Sequence, residues 1–397
     1  MKRGWQTKKL GELLQKTETI NPLQSPNTDI DYIDVSSVSN STFTVEATQR
    51  LKGENAPSRA RRLVKVNDVL FATVRPTLRR IAIVPEHLNN QVCSTGYFVL
   101  RPKEGIDHRF IFYWLFTEDF MGQMELLQKG ASYPAVTDGE VKSQEMSFPP
   151  LPEQQRIVAI LDQAFEAIAK ARANAEANLK NARALFDSHL QSVFTEAWNS
   201  DELVALADLA TDITDGDHMP PPKASSGVPF ITIGNIAKDT CTINFADTFM
   251  VPREYFDGLK SNKKPKKGDV LYTVTGSFGV PVLVTENRDF CFQRHIGLIR
   301  PKPEVSSEWL FYLLMSPQVL KQANDGATGT AQKTVSLKLL RSFQVPRVRL
   351  TLQLMAAAKL SPVLEETHRL ESLYRQKLEA LDELKQSLLH QAFSGQL

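Results

Sequence analysis

Cysteine is scarce in this chain, and the spacing of the few that occur excludes two kinds of site. Only Cys93, Cys241 and Cys291 are present among 397 residues, and no two of them form a C-x-x-C pair. A disulfide framework needs more cysteines at close spacing, and a structural zinc site needs paired ones. We therefore expect three reduced thiols with structural roles.

Long apolar runs are also missing. No stretch reaches 18 consecutive apolar residues, and the opening MKRGWQTKKLGELLQ has no hydrophobic signal-peptide core. With 42% hydrophobic and 23% charged residues, the composition is that of an ordinary globular protein. We expect a cytoplasmic protein of two or three domains with no membrane partner.

The motifs of common enzyme classes are absent as well. The chain has no G-x-x-x-x-G-K-[ST], no G-x-G-x-x-G after a strand, no H-E-x-x-H, no G-x-S-x-G and no N-P-P-[YF]. Asp215, Asp217 and His218 are close enough to bind a metal or to form a turn, and the lack of a second ligand group favours the turn. We predict no catalytic residue, no metal site and no cofactor bound by this chain.

The sequence presents the same landmarks twice, about 200 residues apart. Asp68-Val69-Leu70 recurs as Asp269-Val270-Leu271, and the string FYWL recurs as FYLL. Further matches follow in the same order, at offsets between 198 and 201. Such an ordered series indicates an internal duplication of a unit of roughly 200 residues.

The front part of each copy is predicted to be a mixed α/β domain. Short runs rich in Val, Ile, Phe and Thr, bounded by Gly, Pro and Asn, are typical of strands, and amphipathic stretches with aromatic residues at helical spacing are typical of helices. The predicted strands include 69–74, 97–100, 230–233 and 270–274, and the predicted helices are 108–128 and 307–324.

Each copy ends in a long amphipathic helix. Apolar residues recur at steps of three and four over 153–198 and again over 362–394, which predicts helices on the order of 65–70 Å and about 50 Å long. The two seams are expected to pack together, and a pseudo-twofold arrangement of the copies makes the pair antiparallel. The predicted helix–helix or partner interface consists of Leu161, Ile168, Leu179, Leu190, Phe194, Leu360, Leu370, Leu378, Leu389 and Phe393.

Basic residues are clustered although the net charge is only +2. Residues 50–80 hold nine basic and two acidic side chains, and residues 260–267 hold five lysines and no acid. A charge cluster is usually a solvated face, but recurrence before the same strand in both copies favours nucleic-acid binding. The candidates are Arg59, Arg61, Arg62, Arg75, Arg79, Arg80, Lys260, Lys263, Lys264, Lys266 and Lys267.

Loops just before each long helix add further candidates. Residues 130–136 and 326–333 are small and polar, so Tyr133, Gln332 and Lys333 either reach DNA or lie in a solvent-exposed loop without a role. The segment 276–279 has the sequence GSFG, which suits a backbone approach to phosphate or, more commonly, a tight turn. Ser277 in this segment completes the predicted DNA-binding set.

Taken together, these features resemble the DNA-specificity subunits of type I restriction-modification systems. The resemblance covers the whole chain and rests on WQTKKLGELL near the start, the two Asp-Val-Leu strands, the FYWL and FYLL pair, and FPPLPEQQRIVAIL leading into the first long helix. The closing LKQSLLHQAFSGQL is also similar to the family. The second copy departs from it at VPRVRLTLQLM, which lacks the Pro-Leu-Pro-Glu-Gln core.

The resemblance implies a non-catalytic subunit with two target-recognition domains held apart by spacer helices. Each domain would read one part of a bipartite double-stranded DNA target. Two adenine-N6 methyltransferase subunits and two restriction and translocase subunits would use S-adenosylmethionine, ATP and Mg²⁺. The predicted boundaries are 1–150 for the first recognition domain, 151–200 for the first spacer helix, 201–348 for the second domain and 349–397 for the second helix.

Two other functions stay open at this stage. A DNA methyltransferase or nuclease acting alone would transfer methyl groups or cut DNA without partners. A coiled-coil adaptor that binds only protein would give no DNA complex.

Overall fold

The computed structural model describes residues 4–199, 202–329 and 332–397, in two compact units. Unit 1 takes in Met1–Ala175 and Gln376–Leu397, and unit 2 takes in Glu176–Arg375. Both units combine strands and helices, which confirms the predicted mixed α/β fold. Among the described residues, no helix is both long and apolar enough to cross a membrane.

In unit 1, most strands belong to two sheets. The strands are β1 (Gln6–Lys9), β2 (Asp29–Ile33), β3 (Gln49–Lys52), β4 (Ala60–Leu63), β5 (Val69–Ala72), β6 (Ile81–Ile83), β7 (Val92–Ser94), β8 (Tyr97–Leu100) and β9 (Glu145–Phe148), and the helices are α1 (Leu10–Leu13), α2 (His108–Trp114), α3 (Glu118–Leu127), α4 (Asp138–Lys142) and α5 (Leu151–Trp198), which continues into unit 2. One sheet has the order β3-β2-β7-β4 with β2 and β7 parallel, another is the antiparallel β6-β5-β8, and β1 pairs with β9. Strand β5 reads VLFA and is buried along its length, as expected for a strand covered on both faces.

Unit 2 repeats this plan with local differences. Its strands are β10 (Leu203–Ala205), β11 (Ala210–Asp215), β12 (Val228–Ile231), β13 (Ile236–Ala237), β14 (Thr242–Ile243), β15 (Phe249–Val251), β16 (Val270–Thr273), β17 (Pro281–Leu283), β18 (Cys291–Phe292), β19 (Ile296–Pro301) and β20 (Gln344–Pro346), and its helices are α6 (Arg253–Asp257), α7 (Ser307–Met315), α8 (Pro317–Gly326), α9 (Leu337–Ser342) and α10 (Leu350–Ser394), which continues into unit 1. The sheet β15-β12-β18 again has a parallel pair, β12 and β18, and the antiparallel sheet has the order β11-β19-β16-β17.

The amphipathic stretches 108–128 and 307–324, predicted from their helical spacing, are helical over most of their length. Each stretch is two helices, α2 with α3 and α7 with α8, separated at Thr117 and Ser316. The Thr117 hydroxyl donates to the carbonyl of Trp114 and accepts from the backbone N–H of Phe120, so it caps the second helix. Pro317 follows Ser316 and has no N–H to continue the preceding helix.

The long helices run past the predicted limits. Helix α5 has 48 residues and a length of about 72 Å, and α10 begins at Leu350, well ahead of Pro362, which lies on its exposed side. In unit 1 the start of α5 packs beside the end of α10, with Leu161 and Leu389 in one core. In unit 2 the end of α5 packs beside the start of α10. Within unit 1, the contacts of Arg156 with Leu397 and of Arg172 with Asp382 show that the two helix segments run antiparallel, as predicted.

A buried glutamine explains where each long helix begins. In unit 1 the Gln154 side chain accepts from the N–H of Asp107 at 2.9 Å and donates to the carbonyl of Pro149 at 2.8 Å. In unit 2 Gln353 accepts from the N–H of Ser306 and donates to the carbonyl of Val348, each at 2.7 Å. The second copy therefore keeps the functional glutamine of the FPPLPEQQ string although the surrounding residues differ.

The three cysteines are free and buried, which confirms their structural role. Burial raises the pKa of the Cys93 and Cys291 thiols to about 12 and that of Cys241 to about 11. The thiolate is the reactive form, so these side chains are inert at neutral pH.

Candidate nucleic-acid interface

Arg75 and Arg79 hold an unusual backbone conformation at the two ends of one turn. Their φ angles are 51° and 52°, in the left-handed region that costs a non-glycine residue roughly 1–2 kcal/mol. The turn between them, Pro76–Leu78, follows the buried strand β5. Backbone strain of this kind is concentrated at functional positions, because selection otherwise replaces the residue.

Unit 2 builds the corresponding turn with glycine. Gly276 and Gly279 have φ angles of 68° and 94°. The positions correspond because the N–H of Arg75 donates to the carbonyl of Pro134, as that of Gly276 donates to the carbonyl of Lys333. The two ends of this turn therefore carry arginine side chains in unit 1 and no side chain in unit 2.

The Arg75 side chain is presented on an exposed surface together with Tyr133. Its guanidinium donates to the carbonyl of Ser132 at 3.2 Å and lies 4.9 Å from the centre of the Tyr133 ring, which is 71% exposed. Arg79 is half-buried and lines a recess near Lys385. A guanidinium fork and an exposed aromatic face suit phosphates, base edges and bases.

Three other predicted arginines of unit 1 are engaged within the protein. Nη1 of Arg80 donates to the carbonyl of Val38 at 2.5 Å, and Arg61 donates to the carbonyl of Ala60 at 2.9 Å. Arg62 makes a bidentate ion pair with Asp138 at 2.6 and 3.2 Å. Arg59 lies exposed just before β4.

The lysine cluster of unit 2 is divided in the same way. Lys263 donates to the carbonyl of Gly216 and lies 3.5 Å from a carboxylate oxygen of Asp217, while Lys264 donates to the carbonyl of Asp257. The remaining three lysines of the cluster are exposed: Lys260, Lys266 and Lys267.

Asp215, Asp217 and His218, which the sequence placed in a turn, form hydrogen bonds within the protein. His218 lies 2.8 Å from a carboxylate oxygen of Asp215, and Tyr255 donates a hydrogen bond to Asp217. The described part of the chain contains no group of three or more His, Cys, Asp or Glu side chains placed to hold a metal ion.

Ser277 and Gln332 lie around one recess of unit 2 with a volume of about 470 Å³. Lys238 and His295 line the same recess, and the sequence analysis missed both. Neither residue belongs to a charge cluster. Only an alignment of the strands of the two copies would have indicated that they lie near each other. Lys333 is exposed beside Gln332, and Thr330 and Ala331 of the same loop lie outside the described residues.

The predicted helix-interface residues occupy two kinds of position. Leu161, Leu389 and Phe393 belong to the core of unit 1, and Leu190, Phe194 and Leu360 belong to that of unit 2. The other four are half-buried along the helices: Ile168, Leu179, Leu370 and Leu378.

Comparison with known proteins gives one consistent family. A model described as the type I restriction modification DNA specificity domain matches residues 2–179 and, a second time, residues 203–380. The specificity subunit of the type I restriction enzyme HindI from Haemophilus influenzae is 27% identical over 111 residues, covering 27% of this chain and 24% of that protein. The specificity subunit of EcoDI from Escherichia coli is 24% identical over 149 residues, covering 37% and 31%. The chain thus spans about a quarter to a third of these relatives' lengths.

Two solved structures are similar over nearly the full chain. One is a chain from a study of complex assembly and conformational transition in a type I restriction-modification system, with a TM-score of 0.84, 28% identity, and coverage of 99% of this chain and 98% of that one. The other is the crystal structure of the HsdS subunit from Thermoanaerobacter tengcongensis, with a TM-score of 0.65, 28% identity, and coverage of 100% and 98%.

Proposed function

The chain belongs to the type I restriction modification DNA specificity family, and we propose on this basis that it is the specificity subunit of such a system. The observation that carries the proposal is the double match of the family model to residues 2–179 and 203–380. In this role the chain binds a bipartite double-stranded DNA target, and each unit reads one part of it. Catalysis belongs to its partners.

The different turns of the two units support the reading of two different sequences. Unit 1 presents Arg75 and Tyr133 on its surface, whereas unit 2 has glycines at the ends of the same turn and a recess beside it. Phosphate contacts position a protein on DNA, and contacts to base edges specify the sequence. We assign the outward-facing residues Arg59, Arg75 and Tyr133 to DNA contact in unit 1, and the exposed residues Lys260, Lys266, Lys267, Ser277, Gln332 and Lys333 to contact in unit 2. The internally bonded Arg61, Arg62, Arg80, Lys263 and Lys264 hold the surface in place, with Arg79 beside the first turn.

We also propose that 151–200 and 349–397 act as spacer helices between recognition domains 1–150 and 201–348. Helices α5 and α10 have 48 and 45 residues, so at 1.5 Å per residue they are about 72 and 68 Å long. One turn of DNA is about 34 Å long, so a stiff helix pair of this length supports a spacer role. The length of the pair would then fix the number of unread base pairs in the target.

The partners of this chain would be two methyltransferase subunits and two restriction subunits in the cytoplasm. The methyltransferase uses S-adenosylmethionine, the restriction subunit uses ATP and Mg²⁺, and this chain binds none of them. Because an adenine must leave the base stack to be methylated, the DNA has to be held on both sides of it. Two DNA-binding units would provide that hold.

A methyl-transfer experiment tests the proposal. The purified chain is mixed with radiolabelled S-adenosylmethionine and host DNA, with and without its methyltransferase subunit. We expect methyl transfer only when both proteins are present, and a mobility shift of DNA that weakens with salt. Transfer or cleavage by the chain alone would make it an enzyme, and the lack of any shift in either mixture at moderate salt would make it a protein-only adaptor.

A further inference from the structure

Unit 2 contains a recess next to the glycine turn, which we call the His295 recess. It is bounded by the turn at Ile233–Asn235, the end of β16 and the segment just before β19. Its walls include Ile233, Ile236, Lys238, Ser277, Val280 and His295.

The polar side chains of the recess are hydrogen-bond donors that suit DNA. Nζ of Lys238 donates to Oγ of Ser277 at 2.6 Å, and both side chains are otherwise exposed. His295 is half-buried, and burial together with the neighbouring Arg294 lowers its pKa, so that its ring is neutral at neutral pH. A neutral imidazole has one donor and one acceptor, and the acceptor Nε2 of His295 is engaged by Nε of Arg294 at 3.5 Å, which leaves the N–H as the group for a ligand. The amide of Gln332 lines the same recess.

The same place in unit 1 is filled by the protein itself. Nη1 of Arg80 donates to the carbonyls of Val35, Ser36 and Val38 at 3.4, 3.3 and 2.5 Å, and the Tyr97 hydroxyl donates to the carbonyl of Val35 at 3.0 Å. These two side chains close the space between the turn Val35–Ser37 and the sheet.

The sheet register identifies the exchanged residues. Ala72 pairs with Tyr97 in unit 1 as Thr273 pairs with Ile296 in unit 2, so Ile296 stands at the place of Tyr97. The residues just before them are Gly96 and His295. The N–H of Ala72 donates to the carbonyl of Arg80, as the N–H of Thr273 donates to that of Val280. Val280 therefore stands at the place of Arg80.

The three exchanges lie at one place, beside the turn. A Cβ atom on Gly96 would lie 2.6 Å from Cγ2 of Val35, so unit 1 has no room for a side chain there. With the smaller Val280 and Ile296 in place of Arg80 and Tyr97, unit 2 has an open recess and accepts His295. The turn is common to the two units while the side chains beside it differ, so one frame presents a filled surface in unit 1 and an open recess in unit 2.

We propose that the His295 recess is the part of unit 2 that discriminates its DNA half-site, with Lys238 bound to a backbone phosphate and His295 reading a base edge. The inference rests on the proposed function and assigns it to particular side chains. Lys238 and Ser277 are a point charge and a hydroxyl, the pair that positions a phosphate. His295 and Gln332 combine donor and acceptor groups, which a base edge requires.

The test compares His295→Ala and Lys238→Ala, with His295→Asn as a conservative variant and Lys321→Ala as the control. Lys321 is an exposed residue of α8 in the same unit and forms an ion pair with Asp325. Each full-length variant is purified with its methyltransferase subunit, and binding is measured by fluorescence anisotropy between 50 and 200 mM salt. The duplexes carry the intact target or a single substitution at each position of either half-site.

For His295→Ala we expect discrimination to fall about tenfold or more at one base pair of the half-site read by unit 2, with the other half-site unaffected. For Lys238→Ala we expect weaker binding to all duplexes and a salt slope smaller by about 1. Unchanged base preference in both histidine variants would overturn the reading role, and an unchanged slope for Lys238→Ala would overturn the phosphate contact. A wild-type complex without preference for any duplex would instead refute the proposed function.

Discussion

The guanidinium of Arg75 lies 4.9 Å from the centre of the Tyr133 ring, although the two residues are 58 positions apart in sequence. The backbone brings them together, because the N–H of Arg75 donates to the carbonyl of Pro134. The pair is exposed, and the stacking of a cation on an aromatic ring at an exposed site is worth only about 0.5–1 kcal/mol. Such a small gain does not offset the cost of a left-handed arginine, which supports the proposed role of this pair in DNA contact.

Replacing Arg75 by glycine separates binding from stability. Glycine is the residue that unit 2 uses in this conformation, so we expect the free energy of unfolding of Arg75→Gly to stay within about 1 kcal/mol of the wild type. Affinity for the half-site read by unit 1 should fall at least tenfold, measured by anisotropy in the methyltransferase complex. The Tyr133→Phe variant keeps the aromatic face and serves as a control with a smaller loss. Wild-type affinity in Arg75→Gly would remove the residue from the interface.

The buried ion pair of each unit is expected to be essential to its fold. Arg101 donates from Nε and Nη2 to the two carboxylate oxygens of Asp68, both at 2.8 Å, and Arg300 binds Asp269 in the same way at 2.9 and 2.7 Å. Asp68→Asn removes the buried carboxylate and leaves the guanidinium of Arg101 with only the exposed Glu18 as an ionic partner, so it should lower the free energy of unfolding of unit 1 by about 3 kcal/mol in urea titration.

Glu18 provides the matched control for that variant. Its carboxylate also binds Arg101, at 2.5 Å, and this contact lowers the pKa of Glu18 to about 2, but the side chain is exposed. Exposed ion pairs contribute little, so Glu18→Gln should lower the same free energy much less than Asp68→Asn does. Equal losses in the two variants would contradict the distinction between the buried and the exposed carboxylate.

The stability of unit 2 should decrease on acidification because of His368. Burial, with contributions from Arg183 and Arg375, lowers the pKa of this histidine below its usual value of 6.5, although Glu371 opposes the shift. The unfolded chain therefore binds a proton more readily than the folded one, and the free energy of unfolding falls as the pH drops through 6.5. In His368→Gln, urea titrations at pH 7.5 and 5.5 should show a smaller difference than in the wild type, and an equal difference would refute this origin.

Periodicity and repetition predicted the parts of the fold that depend on many residues. Several apolar positions contribute to the seam of α5 and to the two Asp-Val-Leu strands, so an exception at one position does not obscure the pattern. Individual residues were harder to predict. Gln353 fixes the start of α10 through two side-chain hydrogen bonds. The sequence around Gln353 does not repeat the motif around Gln154, and Pro362 led us to predict a later start for the helix.

The candidate site shows the same limit. Arg75 and Tyr133 were predicted separately, from a charge cluster and from a loop, and only the structure brings their side chains into contact. Lys238 and His295 carry no local signal, because the recess that they line is formed by residues far apart in sequence. The sequence around Lys238 or around His295 therefore does not predict the recess.

Methylome sequencing tests the central claim most directly. The chain is expressed with its methyltransferase subunit in a host that has no other adenine methylation, as the wild type and as Arg75→Gly. For the wild type we predict N6-methyladenine in one bipartite motif, which has two short specified parts and a fixed unspecified gap. For the variant we predict relaxed specificity in only one of the two parts. Methylation in a single continuous motif, or the same motif in the absence of this chain, would contradict it.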